Sequence, residues 1–142
     1  MCVLPDHKLA SGSADKTTRI WDTTGACLLI IPDQSAVMPA MVPLPGCKIA
    51  CCGIDDTLRG WATTHGTCVV ALEGHTGWVN TVVELQDGSL ASASDDRTVR
   101  VWDPHSGRCL CILSKHIDAF TVLTPLGDGR LLTGSQCVAL WE

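Results

Sequence analysis

Three copies of a short cysteine-bearing signature constrain this chain more than any other feature. Gly25-Ala26-Cys27, Gly66-Thr67-Cys68 and Gly107-Arg108-Cys109 recur at a spacing of about 41 residues. Trp21, Trp61, Trp102 and Trp141 keep the same period to within two residues. Leu44, Leu85 and Leu126 fall into the same register, as do Cys51, Ser92 and Thr133. A period of roughly 20–50 residues means stacked supersecondary units, each unable to bury its apolar face alone.

Within one period the apolar runs are strand-sized. Residues 79–85, 89–93, 98–102 and 109–113 are each short, and no sustained 3.6-residue pattern links them. Between them stand Asp87-Gly88, Asp95-Asp96 and His105-Ser106-Gly107, residues that turn a chain by local hydrogen bonds or by tolerating positive φ. Four short strands joined by tight turns describe one antiparallel four-stranded unit.

Composition excludes several function classes. At 142 residues with 46% hydrophobic and 18% charged side chains, the chain can bury a core. A net charge of −5 and scattered basic residues argue against nucleic acid, whose phosphates demand clustered Lys and Arg. No apolar run reaches the ~20 residues that span a bilayer, so no membrane partner is expected. No basic segment followed by an apolar run opens the sequence, which gives the expectation of an intracellular chain, cytoplasmic or nuclear. On that basis the nine cysteines are read as small apolar residues rather than disulfides. Paired Cys-x-x-Cys or Cys/His clusters are absent, so neither a metal nor another cofactor is expected.

The most complete copy runs from residue 74 to 103. Its Gly74-His75 opening, its Ser92-x-Ser94-x-Asp96 turn and its Trp102-Asp103 ending resemble the WD-repeat β-propeller family, and the weaker copies extend the resemblance over essentially the whole chain. The resemblance implies an all-β fold, a β-propeller of four-stranded antiparallel blades. Here it would be a single incomplete arc of between three and four blades, at approximately 1–31, 37–72, 78–113 and 119–142, the first and last incomplete. Propellers cover their blade faces by closing a ring. The open edges are therefore expected to be closed by missing blades of a longer chain or by a second copy. The former is favoured because Met1 falls inside a strand.

The resemblance also assigns a structural network: Trp102 donates to Ser92, Ser92 to His75, and His75 to Asp96. A hydrolase reading of the same Ser, His and Asp is the competing chemistry. The other copies keep parts of the set. The first has Ser11, Asp15 and Trp21; the second has Asp55 and Trp61, with Gln34 and Cys51 at the His and Ser positions; the fourth has His116, Thr133 and Trp141. Gly60, Ala62, Pro39, Pro43 and Pro45 mark the second copy as the weakest. Arg19, Arg59 and Arg100, two residues before each Trp, are read as solvated or as covering the indole with their stems.

Partners of this family often dock where the loop before the first strand meets the turn between the second and third. That face would carry Trp78, Asn80, Asp95 and Arg97, with Lys16, Asp33, Gln34, Asp56, Asp118 and Phe120 from neighbouring copies. Trp78 is either a hot spot there or an interblade packing residue. The expected function is a non-catalytic scaffold for protein or peptide partners in a larger intracellular complex. A substrate receptor of a ubiquitin ligase, of the F-box and WD-repeat type, is the alternative, and a phosphopeptide reader of that kind needs Lys and Arg to converge on the face.

Overall fold

The computed structural model describes residues 1–32, 40–46, 48–53, 55–114, 122–134 and 138–141. Every regular element among them is a strand, and all strand pairing is antiparallel. The first sheet holds β1 (Cys2–Val3), β2 (Leu9–Gly12), β3 (Thr17–Trp21) and β4 (Cys27–Pro32) in chain order. The second holds β5 (Met41–Leu44), β6 (Lys48–Cys52), β7 (Leu58–Ala62) and β8 (Cys68–Leu72). The third holds β9 (Val79–Glu84), β10 (Leu90–Ser94), β11 (Val99–Trp102) and β12 (Cys109–Leu113), and β13 (Val122–Pro125), β14 (Leu131–Gly134) and β15 (Val138–Trp141) form the fourth. Among the described residues no helix is long and apolar enough to cross a membrane.

Local chemistry sets the hairpins. Asp87 accepts from both the amide (2.9 Å) and the hydroxyl (2.5 Å) of Ser89, closing the β9–β10 turn. A bulge recurs at the tryptophan in three sheets, between Ile20 and Trp21, Gly60 and Trp61, and Val101 and Trp102. It turns each third strand sharply into the next loop.

The sheets stack as blades, with β1 against β5, β5 against β9, and β9 against β13 along the inner edge. Each interface joins the tryptophan face of one sheet to the small-residue face of the sheet before it. Ile49, Cys51 and Trp61 meet Ala10, Ile20 and Ile31. Val79, Val82, Leu90 and Trp102 meet Ala50, Cys52, Leu58 and Leu72. Leu123, Leu131 and Trp141 meet Ala91, Ala93 and Val99. Trp102 is fully buried and anchors the middle of the arc.

The arc is open. The tryptophan face of the first sheet leaves Leu9 and Trp21 half-exposed, and the outward face of the fourth leaves Val122, Val138 and Leu140 exposed. The second sheet keeps its packing despite its proline and glycine. Pro43 of β5, an edge strand among the described residues, sits opposite Ile49. Cys52 N–H donates to the Ala40 carbonyl (3.1 Å), so alternation leaves 43/49 a non-bonded pair and the missing amide costs no ladder bond. Gly60 faces Val70, whose Cγ1 would lie 2.5 Å from an added Cβ; the third sheet places Val101 opposite Cys111 instead. Thus Gly60 gives room to a larger neighbour. Pro39 and Cys47 lie outside the described residues.

Candidate functional site

The most closely bonded polar cluster sits at the end of the third sheet where residues 73–78 enter β9. His75 Nε2 lies 2.7 Å from Ser92 Oγ, and His75 Nδ1 lies 2.7 Å from Asp96 Oδ2. Trp102 Nε1 donates to Ser92 Oγ at 2.8 Å. A carboxylate only accepts, so Nδ1 carries the proton to Asp96 and Nε2 accepts the Ser92 hydroxyl. The indole, a donor only, closes the other end.

Electrostatics agree with this assignment. Burial lowers the His75 pKa, opposed by Asp96, so the ring is neutral at pH 7. Burial would raise the Asp96 pKa, but bonds from Thr98, His75 and the Thr76 amide carry it down to about 2. Ser92 is fully buried beneath Trp102, with its one proton committed to His75. No substrate carbonyl reaches its oxygen without unpacking the indole.

This cluster clamps the entry loop to the β10–β11 turn. Thr76 N–H donates to Asp96 (3.1 Å), Ser94 Oγ donates to the Gly77 carbonyl (2.7 Å), and Asp95 N–H donates to the Trp78 carbonyl (2.9 Å). Gly77 is required by closeness, since a Cβ there would stand 2.8 Å from the Asp96 amide nitrogen. Gly74, at φ +146°, lets the Arg100 guanidinium approach, and that guanidinium lies 5.9 Å over the Trp102 ring. Arg100 therefore covers its tryptophan.

The equivalent residues elsewhere make different bonds. Trp21 donates to Ser11 at 2.8 Å, and Trp141 to Thr133 at 3.0 Å. Trp61 Nε1 is buried without a partner among the described residues, two residues beyond Arg59, which stands opposite Cys51 in the ladder. Asp15 pairs with Arg19 (3.0 Å) and Asp55 with Arg59 (2.5 Å), each also accepting from a threonine hydroxyl, Thr17 or Thr57. These two arginines are thus ion-paired, a contact that sequence reasoning missed. The spacing Asp-x-x-x-Arg does not signal it, since Asp96 and Arg100 share that spacing while Asp96 turns to His75 and Arg100 lies over Trp102. His116, Gln34, Asp33, Asp118, Phe120 and the segment 135–137 lie outside the described residues.

The clamp displays side chains to solvent. Trp78 is 56% exposed, so it does not pack between the sheets. Asn80 Nδ2 donates to Asp95 Oδ1 at 2.6 Å, orienting an exposed carboxylate. Lys16, Asp56 and Arg97 occupy the same position of three successive turns, at φ 67°, 63° and 67°. The two cations thus stand on the first and third sheets with an anion between them. At the opposite end a cleft of about 240 Å³, lined in part by Leu44, Lys48, Asp87 and His105, has room for a single side chain. Among the described residues no group of His, Cys, Asp and Glu has the arrangement of a metal site, and the seven described cysteines are not in disulfides.

Comparison with known proteins agrees with this geometry. The model of the WD40 family, described as WD domain, G-beta repeat, matches residues 1–22 and 66–103. The nuclear distribution proteins nudF of Aspergillus flavus and Aspergillus oryzae are each 41% identical over 54 residues, 37% of this chain and 12% of theirs. The WD40 β-propeller domain of Doa1 superposes with a TM-score of 0.88 at 21% identity, over 95% of this chain. This chain spans 46% of that structure, so it is similar to somewhat less than half of it.

Proposed function

For a chain that carries WD40 repeats folded as a β-propeller arc, we propose a non-catalytic scaffold role, in which the face bearing Trp78 holds a protein or peptide partner within a larger intracellular complex. WD-repeat propellers are in general interaction scaffolds, and the finer reading rests on one observation. The entry loop 74–78 is bonded to the 94–98 turn at four points, yet its largest side chain points into water. A rigid exposed aromatic suits an interface hot spot, because little side-chain freedom is lost on docking.

The hydrolase reading is disfavoured by the closed proton chain from Trp102 to Asp96, in which Ser92 has no free face. The phosphopeptide-reading version of a ubiquitin-ligase receptor needs converging cations, whereas Lys16 and Arg97 are separated by the sheet that carries Asp56. The open Trp21 and Leu140 faces are filled in this reading by further blades, from a longer polypeptide in preference to a second copy. Light scattering distinguishes the two, since a discrete two-fold mass would indicate a ring of two copies.

Affinity purification from cells tests the scaffold role. Proteins recovered with the wild type should be lost with Trp78→Ala and Asp95→Arg and retained with His105→Ala at the opposite end. Equal recovery from all three variants would move the function away from this face.

A further inference from the structure

Among the described residues two carboxylates without ion pairs, Asp95 and Asp56, lie by the loop that carries Trp78. Asp95 emerges from the backbone position bonded to Trp78; it is exposed, its Oδ1 accepts from Asn80, and its carboxylate has no ion pair among the described residues. Asp56, from the turn of the second sheet, is near enough for its charge to act on His75, and it too has no ion pair among the described residues. Arg97 is the one cation of the β10–β11 turn, and it stands on the far side of Asp96 in that turn. The Asp96 carboxylate is turned inward and spent on His75, Thr76 and Thr98.

An indole face beside oriented carboxylates recognises one chemical class well. A guanidinium or ammonium placed over the ring gains from the negative π face, and its N–H groups reach the carboxylate at the rim. An acidic side chain would be repelled by Asp95 and Asp56, and an aliphatic one would leave both carboxylates to be desolvated unpaired. We infer that the Trp78 face takes a basic side chain, Lys or Arg, from an extended peptide segment of the partner. The aliphatic stem would lie against the indole, and the head group between Asp95 and Asp56. This inference rests on the interaction-scaffold reading and gives its partner a chemistry.

Four degenerate peptide pools, each with one central position fixed as Arg, Lys, Leu or Glu, test it on the immobilised full chain. The Arg and Lys pools should bind about five-fold better than the Leu and Glu pools. Asp95→Asn should reduce that preference, and the double variant Asp95→Asn with Asp56→Asn should abolish it. Trp78→Ala should remove binding of all pools, and none of these surface variants should change the thermal midpoint. Preference for Leu or Glu that is lost with Trp78→Ala would overturn the basic-ligand inference while leaving a binding face in place. Binding indifferent to Trp78→Ala, or no binding by any pool, would overturn the inference as well. In either case the scaffold reading is judged separately, by the affinity purification described above.

Discussion

Asp96 turns its carboxylate 2.7 Å from His75 Nδ1, whereas Asp55, at the matching point of the preceding sheet, turns to Arg59 on its own hairpin. The first contact ties an entry loop to a turn twenty-one residues away; the second stays within five residues of chain. The same carboxylate position therefore does tertiary work in one sheet and local work in the other.

Asp96→Ala should destabilise the chain by about 1–3 kcal/mol, because His75 loses its acceptor while buried. Asp55→Ala removes an exposed pair of the kind that contributes about 0–1 kcal/mol. Urea denaturation of both variants reads the difference directly. Equal losses would mean that Asp96 does not anchor His75.

His75 makes stability depend on pH. Its folded pKa lies below the ordinary value of 6.5, so the unfolded chain takes up a proton that the folded chain refuses. That contribution is complete above the unfolded value and is lost as pH falls from 6.5 toward the lower folded value. Asp96, held at about 2, keeps its own contribution until the pH falls below the usual carboxylate range near 4 and loses it on the way down to that value. Urea midpoints should fall between pH 7 and pH 5 in the wild type and fall less in His75→Gln. An equal slope in the variant would remove His75 as the cause.

Trp61 has a buried indole N–H with no partner among the described residues, while Trp21, Trp102 and Trp141 each donate to a hydroxyl. Cys51 occupies the ladder position that Ser92 holds in the third sheet, each opposite the arginine two residues before the tryptophan. Cys51→Ser should therefore raise stability by about 1 kcal/mol by giving Trp61 an acceptor. Cys52→Ser, facing the apolar layer against the third sheet, should lower it, since its hydroxyl gains nothing comparable. The same sign for both substitutions would contradict this assignment.

The repeat, the strands and the tight turns are legible in the sequence because each depends on residues close along the chain. Asp87-Gly88 and the tryptophan period are examples, and the strand ends differ by only a residue, as where β10 runs Leu90–Ser94 rather than 89–93. What escapes the sequence depends on distant neighbours. Whether a carboxylate at this position meets an imidazole depends on what another loop supplies: Asp96 meets His75, whereas Asp15 and Asp55 turn to Arg19 and Arg59 on their own hairpins. Gly60 reads as a weakness until Val70 is seen filling its space. The exposure of Trp78 is likewise a matter of packing, which no spacing encodes.

The Asp96–His75 bond holds the display loop in place, and amide hydrogen exchange tests that most directly. In the wild type the Thr76 and Asp95 amides, bonded to the Asp96 carboxylate and the Trp78 carbonyl, should exchange slowly. In Asp96→Ala both should exchange fast while the β10 and β11 ladder amides stay protected. Unchanged protection at Thr76 and Asp95 would show that the loop is held by something else, and the clamp would no longer explain how Trp78 is presented.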